Sequence, residues 1–257
     1  MNAKAGAFLW GEDITLHFGG VQALESVSFR VKENDLQTII GPNGAGKTSL
    51  LNVITGVYWA DRGGVFLREQ PLTGLPAHAI ARSGIVRTFQ NLELFSTMTA
   101  LENVLTGGHL LFHYGMRDWC FRTHRFRAEE AALREKAEAA LAFVGLSATA
   151  DTLAGNLPFG SARLLEIARA LAAEPRVLLL DEPAAGLNIR ETVVLGDIIR
   201  RIVDRGITVI MVEHDMDLVM RVSDRVLVLN YGKVIAEGTP AEVQRNPDVI
   251  AAYLGEV

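Results

Sequence analysis

The sequence predicts an α/β fold: a mainly parallel β-sheet with helices packed on both of its faces. Three observations predict it. The short runs at residues 36–40, 177–180 and 207–212 are almost wholly aliphatic or β-branched, as strands buried on both faces must be. Longer stretches at residues 161–173 and 189–205 carry apolar residues at helical spacing. The two patterns alternate along the chain, which calls for crossover helices between parallel strands.

At 257 residues, with 49% hydrophobic and 21% charged residues, the chain can bury one large α/β core. The net charge of -5 and the absence of a basic stripe argue against nucleic acid as a partner. One cysteine, Cys120, excludes an internal disulfide and fits a reducing compartment. Between Trp119 and Phe121 it reads as a packing or incidental residue rather than a catalytic thiol. No run of 18 apolar residues free of charge occurs, and the N-terminal stretch is too short and poorly flanked for a signal peptide, so a cytoplasmic chain is expected.

Residues 27–31 alternate like a half-exposed strand, and residues 36–40 end directly at Gly41. Residues 91–174 read as a mostly helical insertion, with residues 127–144 the clearest helix. Arg117, Arg122, Arg125 and Arg127, with His113 and His124, make a basic patch there. It is open to two readings, a solvated helix face or a contact with anionic lipid headgroups.

Gly41-Pro42-Asn43-Gly44-Ala45-Gly46-Lys47-Thr48 fits the phosphate-loop pattern G-x-x-x-x-G-K-[ST], follows a strand and opens a helix with Ser49 and Leu50. Glycines let successive backbone N–H groups turn inward on phosphate oxygens, and the helix adds its positive end. Lys47 can reach the β- and γ-phosphates of ATP, and the Thr48 hydroxyl can ligate Mg²⁺. A random chain of this length would contain the bare pattern on the order of 1% of the time, so the match in this context expects a nucleotide site.

Three further features fit that site. Residues 177–180 form a buried strand that ends in Asp181 and Glu182, which point in different directions. Asp181 is suited to hold Mg²⁺ through water, and Glu182 to orient and deprotonate the attacking water. His214 closes the strand of residues 207–212, where a polar residue meets ligands in a parallel sheet, although a lone histidine is also often structural. Gln90 stands where the helical insertion begins and can ligate Mg²⁺ or the water.

These residues, in this order, resemble the nucleotide-binding domains of ABC ATPases across nearly the whole chain. The resemblance implies one domain of residues 1–257. Residues 1–90 and 175–257 would be a RecA-like core with an antiparallel β subdomain, and residues 91–174 a helical signature subdomain. It makes Gln90 the Q-loop, His214 the switch histidine, and Phe18 the aromatic that stacks on adenine, for which core packing is the alternative. It also makes Leu157-Pro158-Phe159-Gly160-Ser161 the signature that caps ATP on a partner subunit. Pro158 offers neither the hydroxyl nor the N–H of the usual serine, and Asn188 stands for the usual aspartate of the D-loop, so a weaker composite site is expected.

Residues 84–95, 98–104 and the ending Gly238-Thr239-Pro240 with Tyr253-Leu254-Gly255-Glu256 resemble the ATPases of branched-chain (hydrophobic) amino acid importers, and among them the larger of the two ATPase subunits. This resemblance implies a second, similar ATPase, two integral-membrane permeases and a periplasmic binding protein as partners. It places the chain peripherally on the inner face of the cell membrane. Other cargoes (urea, aromatic acids, exported lipopolysaccharide), a homodimer, or a nucleic-acid ABC ATPase are the rival readings.

Overall fold

The computed structural model describes residues 6–111, 116–121 and 123–254. The chain divides into two compact units, Met1–Arg87 with Arg176–Val257, and Thr88–Pro175.

The first unit opens with β1 (Leu9–Phe18), β2 (Val21–Val31) and β3 (Leu36–Ile40), then α1 (Lys47–Ile54), β4 (Arg62–Leu67), β5 (Gln70–Pro71), α2 (Ala77–Arg82) and β6 (Ile85–Arg87). The second unit carries α3 (Ala100–Gly107), α4 (Met116–Cys120), α5 (His124–Phe143) and α6 (Phe159–Leu171). The chain then returns to the first unit as β7 (Val177–Asp181), α7 (Ile189–Asp204), β8 (Thr208–Val212), α8 (Met216–Val222), β9 (Arg225–Asn230), β10 (Lys233–Gly238), α9 (Pro240–Gln244) and α10 (Pro247–Leu254).

Two sheets form the first unit. A six-stranded sheet runs β10-β9-β3-β8-β7-β6, parallel except for the β9–β10 hairpin. Every residue of β3, β7 and β8 is buried, which is why those sequences carry no alternation. A four-stranded antiparallel sheet runs β2-β1-β4-β5. One apolar core serves both sheets: Leu9, Ile14, Leu24, Phe29 and Val65 of the antiparallel sheet join Ile39, Leu179, Ile210 and Leu227 of the parallel one, with Leu50, Leu51 and Ile54 of α1 among them. On the other face, Val219, Val243 and Val249 of α8, α9 and α10 cover Ile40, Val226 and Val228.

Several elements begin earlier than their periodicity indicates. Strand β2 starts at Val21 rather than residue 27, because Val21 and Gln22 are exposed and are held, with Leu24, by pairing with β1. Helix α5 starts at His124, three residues before residue 127, because the Thr123 hydroxyl accepts the Phe126 N–H and caps it. Helix α6 starts at Phe159, with Pro158 as its N-cap. Cys120 is exposed, so the packing reading fails and an incidental thiol remains. Of the basic patch, Arg117, His124, Arg125 and Arg127 are exposed, and Arg125 is paired with Glu129 at 2.9 Å; His113 and Arg122 lie outside the described residues. Among the described residues, no helix is long and apolar enough to cross a membrane.

Candidate active site

Parallel pairing brings the C-terminal ends of β6, β7, β8 and β3 to one edge of the larger sheet, where ligands bind in α/β folds. Leaving β3, the chain turns through Gly41 to Gly46 into α1. Gly41 has φ 151°, and a Cβ there would lie 2.1 Å from the Leu229 carbonyl oxygen. Gly46, the N-cap of α1, has φ 101°, and its Cβ would lie 2.7 Å from the Ala23 oxygen. Both positions require glycine for conformation and for space. The loop is also fastened from outside: the Gly232 N–H donates to the Ala45 carbonyl at 3.0 Å, and the Glu25 N–H to the Gly232 carbonyl at 2.8 Å.

Lys47 is buried, and its ammonium donates to the Gly41 and Pro42 carbonyls at 2.6 and 2.8 Å, closing a ring across the loop. Asn43, Gly44 and Thr48 are exposed, Ala45 and Pro42 buried, and Ser49 half-buried on the first turn of α1. No acidic side chain lies in that turn to compete for its N–H groups.

At the end of β7, Asp181 is buried and its Oδ2 pairs with Arg87 Nη2 at 2.6 Å, both side chains being 6% exposed. The other arm of the Arg87 guanidinium donates to Asn52 Oδ1 of α1 at 2.6 Å. One planar fork therefore ties the helix after the phosphate loop, the last residue of β6 and the acidic strand end. Sequence reasoning missed this role for Arg87, which stands 94 residues from Asp181.

Glu182 has φ 46°, the left-handed region that a non-glycine residue enters only under constraint. The constraint is the Glu182 N–H donating to the Val212 carbonyl at 2.9 Å, which ties β7 to the end of β8. His214 Nδ1 stands 3.9 Å from Glu182 Oε2, so the structure brings the two predicted residues together. The His214 ring is largely exposed and Glu182 mostly covered.

Glu213, also missed, organises this corner. Its carboxylate is buried and accepts N–H groups from Ala184 at 2.8 Å, His214 at 3.0 Å and Asp215 at 3.2 Å. Burial pushes its pKa above the usual carboxylate value, against the lowering effect of those donors. A buried acid one residue before the histidine was the available signal, but a polar residue at a strand end ordinarily reads as solvated.

Phe18, at the end of β1, is 45% exposed and meets Tyr58 edge-on at 5.0 Å between centroids, so the core-packing alternative fails. Asn188 caps α7, accepting the Arg190 and Glu191 N–H groups at 3.0 and 3.1 Å in a capping box with Glu191. As a cap it is equivalent to the aspartate it replaces.

In the second unit Gln90 is exposed, on a segment without regular structure. Leu157 and Ser161 are half-buried, Pro158 and Phe159 exposed, and Gly160 buried. Pro158 supplies no side-chain cap, so the N–H groups of Phe159, Gly160 and Ser161 form a first turn that no side chain caps.

The family described as ABC transporter matches residues 24–185. The chain belongs to the ABC transporter family. It is a transporter ATP-binding domain that binds and hydrolyses ATP. A second family, described as branched-chain amino acid ATP-binding cassette transporter, matches residues 233–257 of this ABC ATPase. It is 46% identical to the high-affinity branched-chain amino acid transport ATP-binding protein BraF of Pseudomonas aeruginosa, covering 95% of this chain and 96% of that protein. Against the corresponding LivG protein of Escherichia coli the identity is 43%, with the same coverage. Among solved structures, an ATP-binding cassette of an ABC transporter in its ADP conformation superposes with TM-score 0.85 at 36% identity, covering 97% of this chain and 99% of that one. A dimeric bacterial ABC transporter cassette gives TM-score 0.74 at 25% identity, covering 90% and 98%.

Proposed function

We propose that this ABC ATPase powers uptake of branched-chain or related hydrophobic amino acids, docked as a peripheral subunit on the inner face of the membrane. The observation that carries the cargo is the C-terminal segment, residues 233–257, matched by a family specific to that transport class. Relatives above 40% identity over 95% of the chain, named for the same transport, support it. The partners are a second ABC ATPase, two integral-membrane permeases and a periplasmic binding protein. The dimeric cassette supports the pairing of two ATPase subunits.

The site works as follows. The inward N–H groups of the loop from Gly41 to Thr48, with Ser49 at the helix start, take the phosphates, and Lys47 moves its ammonium from loop carbonyls to phosphate oxygens. Phe18, steadied by Tyr58, stacks on adenine. The Thr48 hydroxyl and the Asp181 carboxylate, both of the first unit, are hard oxygen donors that would suit Mg²⁺, which would neutralise charge on the phosphates; the Gln90 amide, of the second unit, is of the same donor class. Among the described residues, no three His, Cys, Asp or Glu side chains could hold a metal by themselves, so the remaining ligands come from phosphate and water.

Glu182 orients water and takes its proton, and His214 stands beside it as a second contact. In a closed pair, the first turn of α6 offers the Phe159, Gly160 and Ser161 N–H groups to the γ-phosphate on the partner subunit. Both the hydroxyl and the N–H of the usual signature serine are lost at Pro158.

Reconstitution with the neighbouring permeases and binding protein tests the cargo. ATP-driven uptake of leucine, isoleucine or valine is expected. Uptake of urea or aromatic acids alone would overturn the amino acid assignment.

A further inference from the structure

The segment from Phe89 to Thr99 carries Gln90, contains no helix or strand, and belongs to the same compact unit as α6. Its backbone polar groups need partners, and side chains supply several of them. Arg163 of α6 donates from Nη1 to the Phe89 carbonyl at 3.2 Å and from Nη2 to the Gln90 carbonyl at 2.9 Å. Glu166, one turn on, accepts the Phe89 N–H at 3.3 Å. The two side chains also bond each other at 2.9 Å and are 3% and 1% exposed. Further along, Arg169 donates to the Glu93 carbonyl, and the buried Asn103 amide holds both the N–H and the carbonyl of Phe95.

We propose that Arg163 and Glu166 are positioning residues for Gln90: a buried ion pair on α6 that fastens the backbone of Phe89 and Gln90 to the helix whose first turn carries the signature. The inference rests on the role given to Gln90 above. An ion pair sealed from water adds little net stability, because desolvation of both charges offsets their attraction. Its contribution here is geometric. A guanidinium fixed by Glu166 presents two N–H groups to two successive carbonyls, which sets the path of the loop and the direction of the Gln90 side chain. The cap for the partner's ATP and the residue proposed to contact this chain's own ATP are thereby held in one register within the unit.

The double variant Arg163→Met/Glu166→Met separates positioning from stability, since apolar side chains of similar volume replace a buried pair at little cost. In the full chain, it should melt near the wild-type temperature and bind a fluorescent ATP analogue within about twofold, because the phosphate loop belongs to the other unit. Amide exchange at Phe89 and Gln90 should rise by at least about tenfold. The kcat should fall about tenfold or more with KM for ATP little changed. Arg163→Lys, which keeps the charge without the fork, should give intermediate exchange. Wild-type exchange at Phe89, or raised exchange with undiminished turnover, would overturn the proposal. If the double variant does not fold, Arg163→Lys decides it, and unchanged exchange at Phe89 and Gln90 in that variant refutes the latch. Normal turnover in Gln90→Ala would instead overturn the role of Gln90, leaving the exchange result to judge the latch.

Discussion

Replacing Arg87 by methionine removes the cation that compensates Asp181 while keeping most of the side-chain volume. Both partners are 6% exposed and their atoms lie 2.6 Å apart. Water therefore cannot screen the orphaned carboxylate, unlike the partners of the exposed pair Arg134–Glu138, whose side chains are 61% and 54% accessible. Breaking one side of a buried pair costs about 3–5 kcal/mol. The Asn52 Oδ1 loses its donor in the same step. In a protein of this size each kcal/mol moves the melting temperature by roughly 2–4 °C, so a drop on the order of 10 °C is expected. The double variant Arg87→Met/Asp181→Asn removes both charges and should regain most of that loss. The assay is denaturant or thermal unfolding without nucleotide. A loss under about 1 kcal/mol for Arg87→Met, the scale of an exposed pair, would refute the account of the fork.

Glu213 makes a pH prediction. Its folded pKa is raised above the ordinary value by burial, so the folded state holds its proton at a pH where the unfolded chain has released it. Its contribution is therefore fully present below the unfolded value of 4.5 and declines as pH rises through the higher folded value. Glu213→Gln lacks this titration, so the stability of the variant relative to wild type should increase as pH rises from 4.5 through the raised folded value and level off above it; a flat difference across pH counts against it. At the D-loop, Asn188→Ala should cost about 1 kcal/mol through loss of the cap, while Asn188→Asp should be neutral within a few tenths. Urea unfolding measures both, and equal losses in the two variants would deny Asn188 its capping role.

The phosphate loop, the acidic strand end and the histidine were legible because each lies within a few residues of its own strand, and its chemistry is tied to local backbone. Arg87 was not, since its partners Asn52 and Asp181 become neighbours only when β6 is placed beside β7 and α1 packs near the sheet edge. Most of the antiparallel sheet was equally hidden. Strand β1 reads LWGEDITLHF, and its alternation is broken by register shifts between Gly11 and His17 and by Asp13 at φ 50°. Bulges of that kind erase the period of two on which strand reading depends. Phe18 was legible as an aromatic of open role, and its exposure removes the core-packing alternative alone.

The claim that Glu182 prepares the attacking water is tested most directly by single-turnover ATP hydrolysis in Glu182→Gln. The substitution keeps the shape of the side chain and one acceptor oxygen, and removes its basicity. With the loop from Gly41 to Thr48 untouched, ATP should bind as in wild type, the subunits should stay paired on ATP, and hydrolysis should fall by at least about 10²-fold. Wild-type hydrolysis in that variant would contradict the account.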